Sequence, residues 1–297
     1  MSEEIQKCLR LGWISYLNLY PLFYELKQNI SGLFSLNYGN PAEINALLRE
    51  KIVDLAPSSS ICLLHDKPIE SVPIGVVSKG KVHSVYLGFQ KEHKEFKSFL
   101  EERAKDLKKR LDLEKKLDIQ AQKILSFSKD EKLISFLPSI RLTKASQTSV
   151  ELTRILLQSL LGDVNAKKME ENSKETGASV ELLIGDEALK RREEFLDILD
   201  LGEFWDDLTG LPFVFAVWQG NQKLNSSLKK QLIELAFLTQ KKMHEDPSFY
   251  EKNFVKEMGR PSFQLSLSEY WRSLFYSIDD DSKMGLDLFL ELAKKRI

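Results

Sequence analysis

Short apolar runs alternate with amphipathic stretches from residue 9 onwards. The spacing predicts a strand over 9–16 and a helix over 20–28 begun by Pro21, whose fixed φ and missing N–H suit a first helical turn. In NPAEINALLREK, residues 40–51, Asn40 is the expected N-cap, Pro41 the first helical residue and Glu43 its N3 partner. Ile44, Leu47 and Leu48 share one face of that helix. A strand over 52–57 then leads into Ser58-Ser59-Ser60. Residues 73–77 and 82–89 read as two further strands about a Ser-Lys-Gly-Lys turn. Strand, helix, strand, helix in this order predicts an α/β fold built on a parallel sheet.

From Lys91 to Lys116 the pattern changes: most positions are charged, and Phe96, Leu100, Leu107 and Leu111 recur at helical spacing. The mixed signs predict a solvated amphipathic helix rather than a binding tail. Residues 140–162 read as a strand-like run, a polar turn and a strong helix closed by Gly162, with Thr148 and Glu151 at capping-box spacing. A loop is expected over 163–178. Apolar strands are expected in ASVELLIGDEAL (178–189) and TGLPFVFAVWQG (209–220), and helices thereafter with breaks at Pro247 and Pro261.

Composition changes this picture little. With 297 residues, 42% hydrophobic and 10% aromatic, the chain is long enough for one or two buried cores. Its 43 basic and 44 acidic residues balance to a formal charge of -1, which argues against nucleic acid or an anionic membrane as partner and makes any anion selectivity local. The two cysteines, Cys8 and Cys62, lack metal or redox spacing and read as reduced structural thiols. His65, His93 and His244 show no metal-ligand spacing, and no Gly-rich phosphate loop is evident, so neither a metal nor a cofactor is expected. The lead MSEEIQKCLR lacks the basic and apolar regions of a secretory signal, and no run of about 18 apolar residues occurs. A cytoplasmic location is the expectation.

Candidate chemistry sits at three polar turns between strands and helices: Ser15 to Asn18, Ser58 to Ser60 and Ser146 to Ser149. In open α/β sheets ligands lie beyond the carboxyl ends of strands, where helix N-termini offer N–H groups and a positive dipole end. Uncharged hydroxyl and amide turns there suit a small carboxylate. Helix capping alone accounts for any one such turn; three in one chain favour a site.

The blocks ISYLNLYPLFYEL (14–26), NPAEINALLREKIVDLAPSSS (40–60), PIGVVSKGKVHSVYLGF (73–89), RLTKASQTSVEL (141–152), ELLIGDEAL (181–189) and DLGEFWDDLTGLPFVFAVW (200–218) resemble, in that order, the chorismate dehydratase family of the futalosine route to menaquinone. The resemblance covers about residues 9–220, with a charged insert at 91–130 outside it. The sister family that makes dihydroxynaphthoate opens with a Ser-Pro-Cys-Pro-Asn-type turn, which is absent here. The resemblance implies a two-lobed type II periplasmic-binding-protein-like fold with a ligand cleft between lobes that open and close by a hinge. Lobe one would comprise 1–88 and 217–297 and lobe two 89–216, with chain crossings at Val82–Phe89 and Leu211–Trp218.

The implied reaction removes water from chorismate to give 3-(1-carboxyvinyloxy)benzoate, with small-molecule substrate as partner. On the matching blocks, Asn18 and Ser84 are the expected catalytic residues, and Ser15, Tyr16, Ser58, Ser59, Ser146, Gln147, Thr148, Ser149, Asp186 and Thr209 the expected substrate contacts. Three bases stay open: His83, Asp186 and the substrate's own enolpyruvyl carboxylate. His83 neighbours Ser84 on an expected strand, so the two would face opposite ways, and His83 then reads as an exposed or hinge histidine. Asp186 has a competing role as a helix cap. Two other readings remain: a carboxylate-binding or sensor protein without turnover, and the sister naphthoate synthase.

Overall fold

The computed structural model describes residues 8–111, 117–127, 137–176 and 178–296. The expectations for the N-terminal lead before Cys8 and for the end of the charged run, 112–116, lie outside the described residues. The elements begin with β1 (Leu9–Trp13), α1 (Tyr20–Ile30), β2 (Phe34–Tyr38), α2 (Pro41–Arg49), β3 (Leu55–Ser59), α3 (Cys62–His65) and β4 (Glu70–Ser78). There follow β5 (Val85–Phe89), α4 (Lys94–Arg110), α5 (Leu117–Ser126), β6 (Ile140–Arg141), α6 (Gln147–Leu161), α7 (Asp163–Thr176), β7 (Val180–Ile184), α8 (Gly185–Arg191), β8 (Asp197–Asp200) and α9 (Leu201–Thr209). The chain ends with β9 (Phe213–Gly220), α10 (Ser226–Glu245), α11 (Pro247–Met258), α12 (Leu267–Arg272), β10 (Leu274–Ser277) and α13 (Asp280–Arg296).

Two compact units result. The first holds residues 1–77 and 215–279 and the second 78–214 and 280–297. The chain therefore passes between units at three points, where the sequence reading expected two. Val82–Phe89 lies wholly inside the second unit, and the C-terminal helix α13 belongs to the second unit and not to the first. Arg296 shows why: its guanidinium grips Glu151 of α6 through two bonds of 2.5 and 2.7 Å.

The first unit carries a six-stranded sheet in the order β10-β4-β9-β3-β1-β2. β1 pairs parallel with both β2 and β3, whereas β3 pairs antiparallel with β9, so the sheet is mixed rather than parallel throughout. The chain moves from β1 outward to β2 and then back across β1 to β3, which makes the gap beyond the carboxyl ends of β1 and β3 a topological switch point. Asn40 caps α2 in a full capping box with Glu43. Tyr250, Tyr270, Trp271, Tyr276 and Trp218 are fully buried in this unit.

The second unit has a four-stranded sheet, β6-β7-β5-β8. β6 runs parallel to β7, and β5 runs antiparallel to both β7 and β8. Its core stacks Trp205 on Phe213 at 5.2 Å and Phe213 on Phe289 at 5.1 Å, both edge to face. α4 is amphipathic as its pattern predicts, burying Phe96, Leu100, Ala104 and Leu107. Residues 163–176 form a helix where a loop was expected, and β8 and β10 are short strands that the charged and helical patterns around them concealed. Among the described residues no helix is long and apolar enough to cross a membrane.

Candidate active site

β1 ends at Trp13, three residues earlier than the pattern suggests, and the chain then makes a 3-10 turn over Leu17–Leu19. Leu17 and Leu19 point into the core, at 6% and 2% exposure, while Asn18 between them is half-buried. This answers why a carboxamide interrupts an apolar run: the two leucines anchor the turn and Asn18 is carried at its tip. The main chain on either side is pinned from the far end of the sequence. Trp271 Nε1–H donates to the Leu17 carbonyl and the Tyr276 O–H to the Asn18 carbonyl, each at 2.8 Å. Burial pushes the Tyr276 phenol well above its ordinary pKa, so it stays a protonated donor. By contrast Asn18 Oδ1 is enclosed and has no hydrogen-bond partner among the described residues. An enclosed, unpaired acceptor is costly, and such groups mark places kept for a ligand.

Ser58 and Ser59 lie at the carboxyl end of β3, beside this turn across the β1/β3 switch point. Both are buried, at 1% and 5%, and both are held by Asn45 of α2. Cys62 lies behind Ser58; burial pushes its thiol up to about 12, so it is a neutral structural thiol. Ser15 is exposed and Tyr16, half-buried, accepts through its carbonyl from Leu19 N–H at 3.0 Å.

In the second unit the strand directions bring a comparable set together. The carboxyl ends of β6, β7 and β8 and the amino end of β5 share one edge of the sheet. Ser84, 1% exposed, immediately precedes β5, and its carbonyl accepts from Gly185 N–H at 2.7 Å. Gly185 has φ 58°, a conformation that costs glycine nothing and lets β7 turn directly into α8. Ser146 caps α6: its Oγ accepts from Ser149 N–H at 3.2 Å and donates to Ser149 Oγ at 3.0 Å. The cap is thus Ser146, not the Thr148–Glu151 box; Thr148 is fully buried in the first turn and Glu151 is bound to Arg296. Gln147 is exposed at the start of this fifteen-residue helix, whose positive dipole end faces the edge.

Three expectations change here. His83 is not on a strand: β5 starts at Val85, and His83 has φ 61°, a left-handed residue in the preceding loop. The alternation argument against His83 and Ser84 therefore does not apply. Asp186 is not a helix cap, since α8 begins at Gly185 and Ile184 is its uncapped N-cap residue; Asp186 sits half-buried in the first turn. Thr209 is at the opposite end of α9 from the edge. Its hydroxyl donates to the Trp205 carbonyl at 2.8 Å and accepts from Leu211 N–H at 3.2 Å, which closes the helix.

Sequence reasoning missed Asp200. Its buried carboxylate accepts from Gly202 and Glu203 N–H, capping α9, and from Val82 and His83 N–H, the last at 2.7 Å. Burial pushes this carboxyl above its ordinary range, against the pull of those N–H donors. It thereby fixes the loop that presents Ser84. The signal was present, because Asp200 and Glu203 stand at capping-box spacing before an amphipathic run. Asn45 was missed as well; a carboxamide next to Ile44 on the buried face of α2 was its only sign.

Comparison with known proteins adds the decisive observation. A family profile described as Menaquinone biosynthesis matches residues 9–103 and 121–295. The chain belongs to that family. The match runs well past residue 220, and its internal gap, 104–120, is a narrower stretch than the 91–130 insert that the motif blocks suggested. Among solved structures, the protein AF1704 from Archaeoglobus fulgidus is similar over 97% of both chains, with a TM-score of 0.58 at 12% identity. The periplasmic aliphatic sulphonate binding protein from Escherichia coli has a TM-score of 0.55 at 11% identity, covering 97% of this chain and 87% of that one. The ligand-binding component of an ABC-type import system from Staphylococcus aureus has a TM-score of 0.56 at 12% identity, over 97% and 91%. At these identities the likeness is one of fold: this menaquinone biosynthesis family member has a periplasmic-binding-protein-like α/β fold.

Proposed function

We propose that the protein is a chorismate dehydratase, removing water from chorismate to give 3-(1-carboxyvinyloxy)benzoate. Membership of the menaquinone biosynthesis family supports the pathway. The observation that carries the reaction is Asn18: a carboxamide with an enclosed, unpaired oxygen, in a Ser-Tyr-Leu-Asn turn and on a backbone held by Trp271 and Tyr276.

The chemistry asks for little else. The proton at ring C3 is vinylogously acidic through the ring carboxylate, so donors holding that carboxylate stabilise the dienolate that forms when the proton leaves. The C4 hydroxyl then departs as water, taking a proton, and the ring becomes aromatic. The first unit offers donors at Asn18 Nδ2 and at one serine of the pair ending β3; the second offers its own at Ser84 and the Ser146–Ser149 turn, where the α6 dipole favours an anion. We assign the base to the substrate's enolpyruvyl carboxylate, adjacent to C3, with Asn18 orienting it through Nδ2. Uncharged groups are what that arrangement requires, since a protein carboxylate beside the substrate's own would repel it.

The test is to incubate the purified protein with chorismate and follow the products by mass spectrometry. Loss of one water and appearance of an aromatic absorbance support the assignment. Binding of chorismate without any product would make the protein a carboxylate sensor of the same fold.

A further inference from the structure

Two serines end β3, and the hydrogen-bond geometry separates them. Asn45, 1% exposed, faces both. Ser59 N–H has only a hydrogen to give and lies 3.1 Å from one end of the Asn45 carboxamide, so that end is the oxygen, Oδ1. Two consequences follow. Ser58 Oγ, 2.8 Å from the same Oδ1, spends its hydrogen on Asn45. The other end of the carboxamide is Nδ2, which donates to Ser59 Oγ at 2.9 Å. Ser59 Oγ is an acceptor in that contact, and its own hydrogen meets no acceptor among the described residues. The Ser59 carbonyl is fixed in turn by Gln219 Nε2 at 3.1 Å, so the residue is held on both sides.

We propose that Ser59, and not Ser58, is the hydroxyl of the first unit that donates to a carboxylate oxygen of the substrate, and that Asn45 is its positioning residue. An enclosed hydroxyl whose hydrogen is unmatched calls for an acceptor, and a substrate carboxylate is one. Asn45 occupies the lone pair that would otherwise let the hydroxyl turn inward. The inference rests on the dehydratase reading for the identity of the ligand, though the direction of the hydroxyl does not.

Asn45→Asp is the informative variant. It keeps the oxygen that serves Ser58 and Ser59 N–H but replaces the donor facing Ser59 Oγ by an acceptor, which draws the Ser59 hydrogen inward. Asn45→Asp and Ser59→Ala should each lower kcat/KM for chorismate at least about tenfold, and Ser58→Ala should stay within about threefold of the wild type. The double variant Asn45→Asp/Ser59→Ala should be no worse than Ser59→Ala alone, whereas a merely structural Asn45 would give additive losses. Should Asn45→Asp fail to fold, the contrast between Ser58→Ala and Ser59→Ala still decides. Calorimetric titration with benzoate separates this inference from the reaction: benzoate should bind the wild type and Ser58→Ala alike and Ser59→Ala more weakly, even if chorismate is not turned over. Equal affinities, equal kinetics, or no binding of either carboxylate would overturn it.

Discussion

Asn18 shows how a single side chain comes to be held open. Its backbone carbonyl is satisfied by a phenol 258 residues along the chain, while its own carboxamide oxygen is left enclosed and unpaired. Keeping such an atom costs stability, so its removal should separate function from folding. Asn18→Leu is expected to lower kcat/KM for chorismate at least about tenfold, equivalent to about 1.4 kcal/mol of transition-state stabilisation. Its melting temperature should be unchanged or raised. Steady-state kinetics beside thermal denaturation checks both; unaltered kinetics would remove Asn18 from the site. At this scale the placement of Asn18, Ser59 and Ser146 in or beside turns was readable, because polar residues stood out where strands end. Trp271, Tyr276 and Asn45 were invisible, since nothing in their local pattern tells an aromatic or amide that fills the core from one that fixes a distant turn.

Among the elements, the loop before β5 and helix α9 are joined by one carboxylate. Asp200→Ala removes the α9 cap and strands the Val82 and His83 N–H groups, and should cost about 2 to 4 kcal/mol in urea unfolding. A loss under about 0.5 kcal/mol would show that the loop is held by other means. The charged helix α4 is likewise a working part of the second unit. Leu107 is fully buried, and Leu107→Ala should cost about 2 to 5 kcal/mol while leaving kcat for chorismate unchanged. Wild-type stability in that variant would mean that this part of α4, which the family match omits, is dispensable. The alternation of strands and helices was readable as far as β5. α7 was not, because its buried apolar residues Ala166 and Met169 are too few to draw a stripe, and the helix depends on neighbours instead. Asn165 donates to the Leu161 carbonyl at 2.7 Å and Arg154 binds Glu170 through two bonds. The cap of α6 moved from Thr148 to Ser146 for a related reason: either residue fits the pattern, and the polar turn decides which one the backbone leaves extended.

For the molecule as a whole, the family and the α/β fold were legible because ordered motif blocks carry more information than composition or periodicity. The unit boundaries were less so; α13 returns to the second unit through contacts such as Glu151 with Arg296 that no local pattern announces. The central claim is the reaction, and one competition assay tests it most directly. Chorismate and cyclic dehypoxanthinyl futalosine are offered to the protein in the same tube and both are followed by mass spectrometry. The account predicts that chorismate alone is consumed, with 3-(1-carboxyvinyloxy)benzoate as product; consumption of the futalosine derivative, or of neither compound, would contradict it.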